Sequence, residues 1–235
     1  MRGIPMRILG LIVIAVLACS NTAFAEAYTE HTAANGVKYV TPNNWTPITI
    51  GQASRLTKIA PEYAESLEND VPGVEKMYRE QERIFYLNWL DERQNQLAML
   101  SFSVFPVPRE ERFSQSEFEG LTRLEVDELL VSLNQQGPQL AAASQRAGTD
   151  IYNSITFVEA GVVEYGSWRC IAFLYETEGK AGHDPYYMPI SCPAGSVSLQ
   201  FNLYVERDLL ADVSVVIEDI VSGVDVSAIA AGGPR

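Results

Sequence analysis

The stretch Val197, Ser198, Leu199, Gln200, Phe201, Asn202, Leu203, Tyr204, Val205 decides the fold. Val197, Leu199, Phe201, Leu203 and Val205 alternate with Ser198, Gln200, Asn202 and Tyr204. Successive side chains leave a strand on opposite sides, so one face of this segment packs and the other stays polar. Such unlike faces are the mark of an antiparallel sheet. Directly afterwards Leu209, Val213, Val216, Ile217, Ile220 and Val224 recur at helical spacing, which predicts an amphipathic helix lying over the apolar face.

Upstream, the segments 151–159, 162–165, 168–176 and 186–191 are rich in β-branched and aromatic residues and are separated by glycine-containing turns. Earlier still, Ala98, Leu100, Phe102 and Val104 share one face of a strand that ends at Pro106 and Pro108, with Ser101 and Ser103 on the other. The polar run 91–96 reads as the turn joining it to a strand at 84–90. Residues 36–42 read as a short strand that leads into a turn anchored by Trp45, and 59–69 and 74–83 as helices parted by Pro72 and Gly73. Ser114 and Glu117 have capping-box spacing ahead of an apolar stripe of Phe118, Leu121, Leu129, Leu130 and Leu133, and that helix is expected to stop near Gly137 and Pro138. No repeat or linker interrupts the chain. The expectation is a single α+β domain over 26–227, an antiparallel meander flanked by helices and closed by the C-terminal one, with a frayed tail at 228–235.

The first 25 residues read as an address. Arg2 and Arg7 precede an apolar run from Ile8 to Ala18 that is too short to span a bilayer, and Ala23, Phe24 and Ala25 form an A-x-A cleavage site. A competing reading takes Val16, Leu17, Ala18 and Cys19 as a lipoprotein box, with Cys19 lipidated. The cut after Ala25 is favoured, because Leu17 is a less typical residue at its place in such a box. Both readings export the chain, most readily to a bacterial periplasm, and neither leaves a transmembrane span in the mature protein.

Export gives Cys170 and Cys192 a meaning, since an even pair in an oxidising compartment is expected to form a disulfide. The two cysteines lie symmetrically about Ala181, so two strands folded back there would place them opposite each other. Closing such a loop should stabilise by roughly 3 kcal/mol.

Charge narrows the choice of partners. The chain has 235 residues, 17 basic and 30 acidic, for a net of −13. Losing Arg2 and Arg7 with the signal leaves 15 cations against 30 acids, a net of −15. That excess argues against nucleic acid, whose binding depends on clustered Lys and Arg, and favours a protein partner that is basic.

The order of elements, from Val37 to Trp45 and then through helix, meander and the closing unit of Val197 to Ile220, resembles the PsbP and DcrB-like superfamily. The resemblance implies a small exported α+β domain that acts as an accessory or binding protein, and it carries over no binding residue.

Chemistry-bearing groups are sparse. There is no G-x-S-x-G elbow and no calcium loop. His31 falls in a segment expected to be disordered after processing, and His183 with Asp184 reads as a polar turn. Glu110 with Glu111, Asp127 with Glu128 and Glu218 with Asp219 read as solvated charge. No catalytic residue, metal site or cofactor is expected. Trp168, Tyr175, Tyr186, Tyr187 and Tyr204 gather on the expected sheet and hairpin and form the candidate binding face. The first expectation for function is therefore an exported accessory protein that binds another protein through an acidic, Tyr-rich surface. The alternatives are an exported hydrolase or metal-dependent enzyme assembled from distant residues, with His183 and Asp184 as its first members, and a small-ligand carrier with a pocket between sheet and helix.

Overall fold

A computed structural model describes residues 28–48, 82–107, 121–146, 154–178 and 185–230. Seven strands form one antiparallel sheet. They are β3 (Thr46–Pro47), β4 (Glu82–Leu90), β5 (Gln96–Pro106), β6 (Ser154–Tyr165), β7 (Trp168–Glu178), β8 (Tyr186–Ala194) and β9 (Val197–Val205), in the spatial order β3-β4-β5-β9-β8-β7-β6. The meander expected in the C-terminal third is thus one half of the sheet, with β5 laid beside β9. A separate hairpin consists of β1 (Tyr28–Thr32) and β2 (Lys38–Pro42). Helix α1 (Arg123–Arg146) precedes β6, and α2 (Leu210–Ser222) follows β9 through a 3-10 turn at Arg207–Leu209.

The alternation in β9 has the expected consequence. Leu199, Phe201, Leu203 and Val205 are buried together with Ala98, Leu100 and Phe102 of β5, and the Phe102 and Phe201 rings stack at 4.4 Å. Val213, Ile217, Ile220 and Val221 of α2 close this core from above, all fully buried. Each large side chain in such a position contributes on the order of 2 kcal/mol by leaving water. Trp45 is buried as well and stacks on Trp89. The β1–β2 hairpin lies against α2, tied by backbone hydrogen bonds exchanged between Lys38 and Asp225 and by Tyr28 Oη donating to Asp219.

Three expectations are corrected. The helix expected to stop at Gly137 and Pro138 runs on to Arg146. Pro138 lacks the N–H that would bond the Asn134 carbonyl, a defect that ordinarily costs about 3 kcal/mol, and α1 tolerates it while packed on β6 through Leu130, Leu133 and Ala141. Its cap is Thr122 with Glu125, whose carboxylate accepts from the Thr122 N–H at 2.7 Å. Ser114 and Glu117 lie outside the described residues. Gly161 does not divide two segments, because β6 continues through it, pairing Gly161 with Ala172, and the irregularity sits instead at a bulge between Phe157 and Glu159. Of the tail expected to fray over 228–235, residues 228–230 belong to a short helix, Ser227–Ala230, with Ile229 packed on the core, and 231–235 lie outside the described residues. The expected helix at 59–69 lies outside the described residues, as does that at 74–83 apart from Glu82 and Arg83, which belong to β4. The signal segment, Cys19, His183, Asp184, Glu110 and Glu111 also lie outside them.

Candidate binding surface

Cys170 and Cys192 are joined, with Cα atoms 4.2 Å apart. The register explains this, since Ile171 faces Ser191 and Ala172 faces Ile190, which puts the two cysteines directly opposite each other on β7 and β8. Both are fully buried on the α2 side of the sheet, where they form part of the core.

The same register divides the five aromatic residues of the expected binding face between the two sides of the sheet. Trp168 and Tyr186 stand on the α2 side. Trp168 Nε1 donates to the Val224 carbonyl at 3.3 Å and pins the chain after α2. Tyr186 faces Val205, with Arg207 over its ring at 5.0 Å and Arg207 in turn 3.1 Å from Glu176. Burial, and then the nearby Glu176, hold the Tyr186 phenol above its ordinary range.

Tyr175, Tyr187 and Tyr204 come together on the opposite side. Tyr175 faces Tyr187 and Tyr187 faces Tyr204 across consecutive strands. The first two rings stack at 5.2 Å, and the Tyr204 ring meets Tyr187 edge-on at 5.1 Å. Phe157 extends the row onto β6, 5.2 Å from Tyr175, and Met99 continues it opposite Tyr204. Helix α1 covers only one end, where Leu130, Leu133 and Ala141 pack with Phe157 and Tyr175. Tyr187 and Tyr204 lie beyond it, each partly exposed. Their neighbours on this side are polar, with Gln200 Nε2 donating to Ser191 at 2.5 Å and Asn202 exposed. Burial raises the pKa of the Tyr204 phenol and Glu206 adds to the rise, so Tyr204 stays neutral and able to donate.

His31 is part of β1, where it faces Tyr39 and stacks on its ring at 5.0 Å, with Nε2 2.7 Å from Thr41 Oγ1. The expected disorder is thereby corrected, because the β1–β2 hairpin is anchored by the buried Val37 and Thr41. His31 lines a shallow cleft of about 350 Å³ with Glu30, Lys38, Tyr39 and Asp225. Its hydrogen-bond partner is a hydroxyl rather than a carboxylate, so nothing there sets up an acid–base dyad. Asp127, Glu128, Glu218 and Asp219 are exposed, and among the described residues no three His, Cys, Asp or Glu side chains converge as metal ligands would. The space between the sheet and α2, the place expected for a small-ligand pocket, is filled by Phe102, Phe201, Leu203, Ile217 and Ile220.

No protein-family model and no curated protein matches the chain. Among solved structures it is similar to cyanobacterial PsbP (CyanoP) from Synechocystis sp. PCC 6803, at 12% identity and a TM-score of 0.47 over 89% of this chain and 97% of that one. It is also similar to the Ran-binding protein Mog1p of Saccharomyces cerevisiae, at 8% identity and a TM-score of 0.41 over 86% and 96% of the two chains. At these identities the likeness is one of fold, and it assigns no partner or activity.

Proposed function

We propose that this chain is an exported, non-enzymatic accessory protein of the envelope that binds a basic protein partner across the row of Tyr175, Tyr187 and Tyr204. The row carries the proposal. Three tyrosines on adjacent strands form a rigid amphipathic strip, and an aromatic anchor with few torsions to immobilise loses little entropy when a partner covers it. The net negative charge of the chain supports a basic partner, since complementary charge accelerates encounter and is weakened by salt. The basic and apolar leader with its A-x-A site and the buried Cys170–Cys192 disulfide support export.

A photo-crosslinker placed at Tyr204 tests the binding face, with a second at the exposed Glu128 on α1 as control. In envelope extract at low salt, the Tyr204 position should give a discrete adduct that fades as salt rises and disappears with Tyr187→Ala. Equal labelling from both positions, or an adduct indifferent to Tyr187→Ala, would refute the proposal. The mass of the mature protein checks export separately, the expected value being that of a chain beginning at Glu26 and two mass units light.

A further inference from the structure

Strand β6 ends the sheet, and its outer edge is divided into two unlike halves. Over the first half, α1 takes the place of a neighbouring strand. The Asn134 carboxamide accepts from the Phe157 N–H at 2.8 Å and donates to the Phe157 carbonyl at 2.9 Å, the pair of bonds that an added strand would make. One turn further on, Gly137 brings the helix onto the backbone, where a Cβ would lie 2.5 Å from the Ile155 oxygen.

Beyond the bulge the phase of the ladder is set by the turn at Gly166 and Ser167. Gly166 takes φ +58° at the first turn position, and a two-residue hairpin of this kind closes on a hydrogen-bonded pair, here Tyr165 and Trp168. Counting back, Val163, Gly161 and Glu159 bond to β7. Glu164, Val162 and Ala160 therefore aim their N–H and C=O groups away from the sheet, and among the described residues no strand pairs with them. This stretch has small residues, Ala160 and Gly161, with Val162 at its centre, and acids lie at both its ends. Glu159 and Glu164 are exposed on opposite sides of the sheet, and Glu218 of α2 lies close enough to help push the Tyr165 phenol up. Arg169, 2.9 Å from Glu164, offsets part of that charge.

We infer that the edge from Ala160 to Glu164 accepts an extended, basic peptide segment as an eighth strand. Main-chain hydrogen bonds supply the affinity in this mode, and side chains at the ends of the added strand supply selectivity. Cationic residues about five positions apart would meet Glu159 on one face and Glu164 on the other. A second copy of this chain fits less well, because pairing two such edges would bring like charges together. The inference deepens the proposed binding of a basic protein and stands on a surface separate from the Tyr row.

The probe is a blocked peptide of alternating valine and threonine with lysine at its first and sixth positions. Its binding is followed by amide hydrogen exchange on the full mature chain. The N–H groups of Ala160, Val162 and Glu164 should exchange fast alone and slow on adding peptide, while Gly161 and Val163 are protected throughout. Val162→Pro removes one outward N–H and leaves the β6–β7 ladder whole, and it should weaken the peptide about ten-fold. Glu159→Lys, which leaves the backbone unchanged, should weaken it by a similar factor at low salt and by less at high salt. Protection appearing at Tyr187 and Tyr204 instead, unchanged affinity in both variants, or protection of β6 that grows with protein concentration in the absence of peptide would each overturn the inference. Loss of the Tyr204 adduct in Tyr187→Ala is independent of this edge, so either reading can fail alone.

Discussion

The two faces of the sheet are held by different means. On the α2 side, side chain meets side chain, as Phe201, Leu203 and Phe102 interlock with Val213, Ile217 and Ile220, all at most 1% exposed. On the α1 side Leu130, Leu133 and Ala141 also pack on Phe157 and Tyr175, but at the β6 edge the helix meets backbone as well, with Asn134 bonded to the Phe157 main chain and Gly137 set against the Ile155 carbonyl. Apolar packing of the first kind depends on area and volume and tolerates some exchange of residues. Contact of the second kind depends on a single amide and on the absence of one carbon atom.

The largest expected effect belongs to the α2 face. Phe201→Ala removes a fully buried ring and should lower stability by about 3–5 kcal/mol in denaturant titration. A loss under 1 kcal/mol would mean that this face can collapse freely, and the contrast between the faces would vanish.

Next come the backbone contacts of α1. Asn134→Ala leaves the Phe157 groups without their partner, at a cost of about 1–3 kcal/mol, and should speed amide exchange at Phe157 while leaving the α2 face unchanged. Gly137→Ala sharpens the point because two effects oppose. Alanine favours an isolated helix by about 1 kcal/mol, whereas here its Cβ would press on the Ile155 oxygen. The expected net result is destabilisation, and a gain in melting temperature would show that the close approach does not hold.

The smallest effect appears in alkali. Burial, with Glu218 adding to it, pushes the Tyr165 phenol up to about 12, whereas in the unfolded chain it ionises near 10. Between pH 10 and 12 the unfolded chain therefore loses a proton that the folded one keeps. Stability contributed by the neutral phenol is complete below pH 10 and declines across that window, by at most about 1.4 kcal/mol per pH unit. Tyr165→Phe should flatten the slope there, and an unaltered slope would assign the alkaline loss to the other tyrosines whose phenols partial burial raises, Tyr39, Tyr86, Tyr186 and Tyr204.

Legibility in the sequence follows the same division. Alternation in β9 and the stripe of α2 reveal the α2 face in advance, because burying one side of each element imposes a period on its residues. The disulfide was legible from the symmetry of Cys170 and Cys192 about Ala181. Tyr175 and Tyr187 share that centre, so the first step of the tyrosine row was also open to reading, and period two would have separated Trp168 and Tyr186 from it. Gly137 and Pro138 misled because they punctuate a chain by default, and only contact with β6 turns them from a stop into a point of close packing.

What the sequence determined by itself is whatever depends on local period and composition: an acidic α+β chain with an antiparallel sheet, a closing helix and one paired set of cysteines. What only the tertiary structure decided is how distant segments meet. The placement of α1 on β6, the pairing of Asn134 with Phe157, the division of the aromatic residues between two faces and the half-open edge at Ala160 to Glu164 all depend on contacts between residues far apart in the chain. A one-residue bulge at Val158 shifts the phase of β6, and no local pattern records which side of a strand a distant helix will cover.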